Sequence, residues 1–291
     1  MELIDGKEIS NQIKEEIKKE VADMIDSGKD APHLAAVLVG DDPASQTYVK
    51  NKEKACKRVG MLSSVYEMPA DTTQKELLET VDFLNNDPDI DGFIVQLPLP
   101  DHIDEDAVIQ AIKPEKDVDG FHPVNLGKMM LGQPAFLSAT PNGILEMLER
   151  SNIDTEGKHC VVLGRSNIVG RPISVLMSQK AKPGNATVTV CHSRTENLEK
   201  YIKEADILIA AMGKQEFVKG DMVKDNAVVI DVGIHRVADD TKKKGYRLVG
   251  DVDFEEVKKK ASAITPVPGG VGPMTIASLL KNTLKAAKKE V

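Results

Sequence analysis

Val161-Val162-Leu163-Gly164-Arg165-Ser166-Asn167-Ile168-Val169-Gly170-Arg171-Pro172 reads as a buried strand, a tight turn and the first turn of a helix. A doubly wound sheet receives a pyrophosphate at such a junction, because free backbone N–H groups and the helix dipole face the anion there. The glycine pattern is G-x-S-x-x-x-G, with Ser166 where a second glycine would let a pyrophosphate approach closely. On its own this stretch fits a nucleotide site and also an ordinary strand–helix turn. Its neighbours extend the pattern. His159–Leu163, Thr187–Cys191, Ile207–Ala210 and Val228–Val232 are short apolar runs, most of them separated by enough chain for a helix. Continuous apolar strands alternating with helices indicate a parallel sheet covered on both faces.

The same alternation occupies the N-terminal part. Ile9, Ile13, Ile17, Val21 and Met24 recur at helical spacing before Gly28. Leu34–Val39 is a β-branched run closed by Gly40. Asp42-Pro43 opens a helix with an N-cap acid and a proline at its first position, and that helix stops near Gly60. Gly92–Leu97 reads as a further strand, and Met274–Lys289 as an amphipathic last helix behind a Pro/Gly-rich loop. No internal repeat is visible. Two αβ series predict an α/β protein of two αβα domains joined near residues 135–145, the second a Rossmann-type parallel sheet.

Composition narrows the partners. The 291 residues carry 38 Lys and Arg against 46 Asp and Glu, a net charge of -8. An acidic surface argues against non-specific nucleic-acid binding. The basic stretch Lys242–Lys244 reads as a solvated turn. Cys56, Cys160 and Cys191 fit neither a disulfide framework nor a zinc site, and no His has a partner at ligand spacing, so no metal is expected. No apolar run approaches the roughly 20 residues that span a bilayer. The polar N-terminus MELIDGKEIS lacks the apolar core of a signal peptide, and a cytoplasmic location is the expectation.

Several side chains then stand out. The second strand of the Rossmann-type series ends Cys191-His192-Ser193-Arg194-Thr195, with no acid before Glu196. An NAD site places an acid there for the ribose hydroxyls. Arg165 and Arg194 are instead candidates for a 2′-phosphate, so NADP is preferred over NAD; the other reading of Arg194 is a plain surface residue. Asp231-Val232-Gly233-Ile234 closes a later strand, either beside a cofactor ring or as a simple strand end. Tyr48 and Lys52 lie four apart on one helical face, either a surface pair or, if Lys52 is desolvated, a proton-transfer group. The same Y-x-x-x-K spacing occurs in short-chain dehydrogenases, but there it follows the glycine-rich turn, and here it precedes it. Val95-Gln96-Leu97-Pro98-Leu99-Pro100 puts a glutamine at a strand's carboxyl edge. Lys116-Asp117-Val118-Asp119-Gly120 puts two acids in one loop. Thr265-Pro266-Val267-Pro268-Gly269-Gly270-Val271-Gly272-Pro273-Met274-Thr275 is either a rigid connection or a backbone wall for a flat ligand.

Taken in order, Y-V-x-x-K, V-Q-L-P-L-P, K-D-V-D-G, G-R-S-x-I-V-G-R-P, V-I-D-V-G-I and T-P-V-P-G-G-V-G-P-M-T resemble the bifunctional methylenetetrahydrofolate dehydrogenase/methenyltetrahydrofolate cyclohydrolase family over nearly the whole chain. The resemblance implies NADP-linked oxidation of 5,10-methylenetetrahydrofolate and hydrolysis of the methenyl product to 10-formyltetrahydrofolate. It implies Lys52 as general acid/base, Tyr48 against the folate, Gln96 bonded to Lys52, and Asp119 on the pterin ring. Val95, Leu97, Pro268, Gly269, Gly270, Gly272 and Thr275 would line the folate pocket; Gly164, Arg165, Ser166, Ser193, Arg194 and Ile234 would meet NADP. It also implies a homodimer, a folate domain of residues 1–139 plus 273–291 to which the last helix returns, and an NADP domain of 140–272. Hydride transfer needs cofactor and folate stacked together, which a cleft between the domains would provide. The family often carries Pro-Cys-Thr-Pro where this chain has Leu137-Ser138-Ala139-Thr140-Pro141-Asn142-Gly143, so any role for that thiol is missing. A monofunctional, NAD-linked dehydrogenase and a non-catalytic nucleotide binder are the competing readings. Intact Lys52, Gln96 and the two arginines oppose the first, and the full polar set with Tyr48 and Asp119 opposes the second.

Overall fold

The computed structural model describes residues 1–242 and 245–291, so Lys243 and Lys244 of the basic stretch lie outside the described residues. The chain runs β1 (Glu2–Leu3), α1 (Gly6–Asp26), β2 (His33–Val39), α2 (Pro43–Val59), β3 (Leu62–Met68), α3 (Gln74–Asn86), β4 (Gly92–Val95), α4 (Glu105–Ala111), α5 (Pro123–Met130) and α6 (Ala139–Arg150). It continues with β5 (His159–Leu163), α7 (Gly170–Ser178), β6 (Thr187–Cys191), α8 (Leu198–Glu204), β7 (Ile207–Ala210), β8 (Val228–Asp231), β9 (His235–Ala238), β10 (Tyr246–Val249), α9 (Phe254–Val257), β11 (Ala263–Ile264) and α10 (Val271–Lys288). Among the described residues no helix is long and apolar enough to cross a membrane.

Two compact units emerge. One comprises Asn11–Ala139 and Ile276–Val291. Its sheet has the order β3-β2-β4, with both pairings parallel. The central strand β2 is buried from Leu34 to Val39 because it is flanked on both edges and covered on both faces. Val37 and Val39 pack with Leu77, Val81 and Leu84 of α3, Phe93 and Val95 of β4, and Val108 of α4. Gly92–Leu97 was expected as strand; β4 stops at Val95, although the Gln96 amide still donates to Val37 O at 2.9 Å.

The other unit comprises Met1–Ser10 and Thr140–Thr275. Its six strands pair in parallel in the order β1-β11-β8-β7-β5-β6. Leaving β1 aside, the sequential strands stand in the doubly wound order 2-1-3-4-5, which reverses direction at β5. The core on one face combines Val161, Leu163, Leu208, Ala210 and Val229 with Ile202 of α8 and Val257 of α9. β5, β6 and β7 occupy the stretches expected; β8 ends at Asp231, one residue early. The antiparallel pair β9–β10 is an addition to the expected all-parallel pattern.

The mid-chain boundary between the units lies between Ala139 and Thr140. The first ten residues pack with the second unit, because β1 pairs with β11 and Lys7 N donates to Gly269 O at 2.8 Å. Within the first unit, Asn282 of α10 donates to the carbonyls of Val118 (2.8 Å) and Leu137 (2.9 Å).

Candidate active site

In the first unit, α2 leaves the carboxyl end of β2 under firm local control. Asp42 accepts from Ser45 N at 2.7 Å, Pro43 opens the helix, and Gly60 closes it in the left-handed region at φ 83°. This fixes the helix face that carries Tyr48, Lys52 and Cys56 one turn apart. Tyr48 is exposed, whereas Lys52 is only 8% exposed. Its Nζ donates to Gln96 Oε1 at 3.0 Å. Gln96 stands just beyond β4, beside β2, at the point where connections leave the sheet in opposite directions and α/β folds place their ligands. Its amide nitrogen donates to Leu97 O at 2.6 Å, so the oxygen faces Lys52. Burial lowers the Lys52 pKa from its ordinary value, and the negative charge of Asp119 opposes that shift. Burial likewise raises the Asp119 carboxyl, and the Lys52 cation opposes it. Val95, Leu97 and Asp119 line one small cavity.

The two acids of the K-D-V-D-G loop do different work. Asp117 is buried and accepts from Asn125 Nδ2 (2.9 Å), His122 N (2.8 Å) and Phe121 N (3.2 Å). It ties the loop to the start of α5 and leaves Asp119 as the acid coupled to Lys52. Cys56 is buried below Lys52, and burial pushes its thiol up to about 12, which keeps it protonated and unreactive.

In the second unit, a cavity of about 340 Å³ opens at the carboxyl ends of β5, β6 and β7. Gly164, Arg165, Ser166 and Ser193, expected at a cofactor, all line it. Arg194 and Ile234 do not; both are exposed. Gly164 adopts φ 123°, and an added Cβ there would collide with the Ala211 carbonyl. Ser166 Oγ accepts from Val169 N and Gly170 N, both at 3.2 Å, so the serine that replaces the second glycine of the G-x-G pattern caps the start of α7. His192, Thr195, Ala211, Met212 and Lys214 also line the cavity and were not singled out in the sequence. Ala211 to Lys214 follow an apolar run, and the turn after each strand of a parallel series is the signal that finds them.

The Pro/Gly-rich loop belongs to the second unit as far as Thr275. Gly270 is buried, while Pro268 and Gly272 are exposed and Gly269 half-buried. Thr275 Oγ1 lies 2.9 Å from Thr140 Oγ1, which joins the T-P-x-G and P-M-T motifs.

Residues 4–119 match the tetrahydrofolate dehydrogenase/cyclohydrolase catalytic domain, and residues 138–291 match the NAD(P)-binding domain of the same family. The chain is a member of the tetrahydrofolate dehydrogenase/cyclohydrolase family. The bifunctional protein FolD of Bacteroides thetaiotaomicron is 62% identical over 291 residues, 100% of this chain and 99% of that one. The bifunctional FolD methylenetetrahydrofolate dehydrogenase/cyclohydrolase of Campylobacter jejuni superposes with a TM-score of 0.93 at 50% identity, covering 100% of both chains. The Trypanosoma brucei enzyme, solved with NADP and an inhibitor, superposes with a TM-score of 0.93 at 41% identity, covering 99% of this chain and 97% of that one. As a tetrahydrofolate dehydrogenase/cyclohydrolase, this is a bifunctional enzyme with an NAD(P)-binding domain. Its cavity fits that cofactor class: it sits at the reversal of strand order, beside a helix start, with the cations Arg165 and Lys214 on its wall.

Proposed function

We propose that this enzyme oxidises 5,10-methylenetetrahydrofolate with NADP and hydrolyses the methenyl product to 10-formyltetrahydrofolate, with Lys52 as the proton-transfer group. The observation that carries this reading is the buried Lys52 ammonium bonded to Gln96 Oε1 at 3.0 Å. Bound NADP supplies the acceptor for the hydride of the methylene carbon. Everything else falls to side chains. Desolvation lowers the Lys52 pKa, so more of it than of an exposed lysine is the neutral amine that can accept a proton. It takes a proton from the water that attacks the methenyl carbon. As the carbinolamine collapses, Lys52 gives a proton to the departing ring nitrogen, and the hydroxyl proton leaves to solvent. Gln96 orients Nζ and, being uncharged, does not hold the cation as a carboxylate would. Asp119 accepts from the amino-pyrimidinone edge of the pterin, and Tyr48 packs on the ring system. Val95, Leu97, Pro268, Gly269, Gly270, Gly272 and Thr275 complete the folate contacts.

Gly164, Arg165, Ser166, Ser193, Arg194 and Ile234 are assigned to the cofactor. A preference for NADP is supported by Arg165 and Lys214, by the missing acid after β6, and by the relative solved with NADP. The functional division we propose puts folate chemistry on the unit of residues 11–139 and 276–291, and cofactor binding on the unit that holds 140–275, a division supported by the two compact units. A homodimer is supported by the family resemblance, and light scattering that read a one-chain mass would overturn it. Three buried free cysteines suit the reducing cytoplasm.

The deciding experiment assays Lys52→Met for both reactions. Hydrolysis should fall at least about 100-fold, the scale of general acid–base catalysis, while NADP still binds. Hydrolysis at the wild-type rate would remove Lys52 from the mechanism.

A further inference from the structure

Asp231 and Asp251 form a buried pair of carboxylates that the chemistry above does not use. Asp251 is 0% exposed and Asp231 3%. Asp251 Oδ2 accepts from two consecutive amides, Met212 N at 2.7 Å and Gly213 N at 2.9 Å. Its other oxygen lies 2.8 Å from His235 Nε2. Asp231, the last residue of β8, accepts from Gly233 N (2.9 Å), Asp251 N (2.9 Å) and Val252 N (3.0 Å). The β9–β10 ribbon makes this meeting possible, because its register places His235 opposite Val249, two residues before Asp251. Space is tight: an added Cβ at Gly233 would strike Asp251, and one at Gly250 would strike Asp231. The carboxylates are thus closely enclosed, and apart from the His235 contact their partners are backbone amides.

The amides they hold belong to the turns after β7, β8 and β10. The first of these turns supplies Ala211, Met212 and Lys214 to the cavity. Two N–H groups drawn inward onto one buried charge fix the turn's backbone orientation, and charge-assisted hydrogen bonds are the stronger kind. We propose that Asp251 is a positioning residue of the dinucleotide site, which holds the Met212–Gly213 turn against the cavity while His235 anchors the carboxylate from the other side. The inference rests on reading that cavity as the dinucleotide site. Asp231 supports it from below by fixing the backbone of Asp251, and burial pushes its own carboxyl up to about 7.

The test measures dehydrogenase kinetics and NADPH titration for Asp251→Asn and His235→Gln, with thermal unfolding alongside. In Asp251→Asn the carboxamide keeps the shape but removes the charge from two amide hydrogen bonds. KM for NADP should rise about tenfold, as loss of one charge-assisted bond implies, with kcat at saturating cofactor within about threefold. His235→Gln leaves Asp251 in place and should raise KM at least about threefold with an unchanged melting point. A purely structural role would instead lower the melting point and depress kcat without a selective rise in KM. Wild-type KM in either folded variant overturns the proposal. If Asp251→Asn does not fold, His235→Gln decides alone. Arg165→Ala separates the two levels: a raised KM there with silent Asp251 and His235 variants sinks only this inference, whereas a silent Arg165→Ala sinks the cofactor reading of the cavity itself.

Discussion

A lysine ammonium buried against a neutral amide is an unusual arrangement, because the desolvation of the cation is only partly offset by one hydrogen bond. At Lys52 the nearby Asp119 charge pulls the other way, so the group sits between a cation held by an acid and a neutral amine. Gln96→Glu would tip this balance. A carboxylate within hydrogen-bond reach favours the cation and raises the Lys52 pKa by about one unit or more. The limb of the hydrolysis pH–rate profile that Lys52 governs should move up by that amount; an unmoved limb would show that Lys52 is not the titrating group. Asp117, two residues from Asp119, makes a stability prediction. Burial raises its carboxyl from 3.8 to about 6. A raised carboxyl contributes stability that is present below the unfolded value and lost as pH rises through the folded one. The stability advantage of wild type over Asp117→Asn should therefore narrow between about pH 4 and pH 7 by roughly 3 kcal/mol, at about 1.4 kcal/mol per pKa unit. Urea unfolding at intervals across that window checks it. The K-D-V-D-G loop was legible as two acids, and Lys52 with Gln96 as partners through the resemblance. What was not legible is which acid folds inward onto backbone amides, since that depends on Asn125, Phe121 and His122, residues with no signal of their own.

At the level of elements, local chemistry set the boundaries that were read correctly. Asp42, Pro43 and Gly60 bracket α2 because each supplies what a helix end lacks. Asp42→Ala should cost about 1 kcal/mol in denaturant unfolding, the usual value of an N-cap side chain. No loss would show that Pro43 alone holds the helix start. At the β5–α7 turn, Gly164→Ala meets both a left-handed φ and the Ala211 carbonyl. It should weaken NADPH binding by more than tenfold and lower the melting point together, since the turn can admit a Cβ only by moving away from β7. β5, β6 and β7 were legible to the residue because a polar residue or turn former, Gly164, His192 or Asp206, closes at least one end of each apolar run. β3 was not: Leu62-Ser63-Ser64-Val65-Tyr66-Glu67-Met68 lies at the sheet edge, half-exposed, and shows no buried face to read. The β9–β10 ribbon escaped for a similar reason. Only one of its residues is buried, and the partner strand lies beyond the Lys-rich stretch.

At the scale of the whole molecule, the two units repeat one design that the sequence conceals. Each centres on three parallel strands in the order second-first-third, β3-β2-β4 and β6-β5-β7. Each first strand opens with a histidine, His33 or His159, and each histidine is held in the same way. His33 Nε2 meets Ser64 Oγ at 2.8 Å and Nδ1 meets Asp89 O at 3.0 Å, while Asp91 accepts from His33 N at 2.8 Å. His159 Nε2 meets Thr189 Oγ1 at 2.9 Å and Nδ1 meets Glu204 O at 3.2 Å, while Asp206 accepts from His159 N at 2.9 Å. The registers agree: Ser64 and Thr189 stand two residues beyond the partners of the histidines, and Asp91 and Asp206 one residue before the third strand's pairing begins. No repeat was visible in the sequence because only these few polar positions correspond, and the apolar residues between them are free to differ as long as they fill the core. At the amino ends of both sheets the histidine ties the three strands together across their edges, remote from the carboxyl ends where the functional side chains sit. His33→Ala and His159→Ala should each leave a hydroxyl and a backbone carbonyl without their partner, at about 1–3 kcal/mol. Each unit has its own buried core, so the loss should stay local. Hydrogen exchange should quicken in β2, β3 and β4 for His33→Ala, and in β5, β6 and β7 for His159→Ala. Exchange that quickens across both sheets in either variant would mean that the two units unfold as one cooperative body.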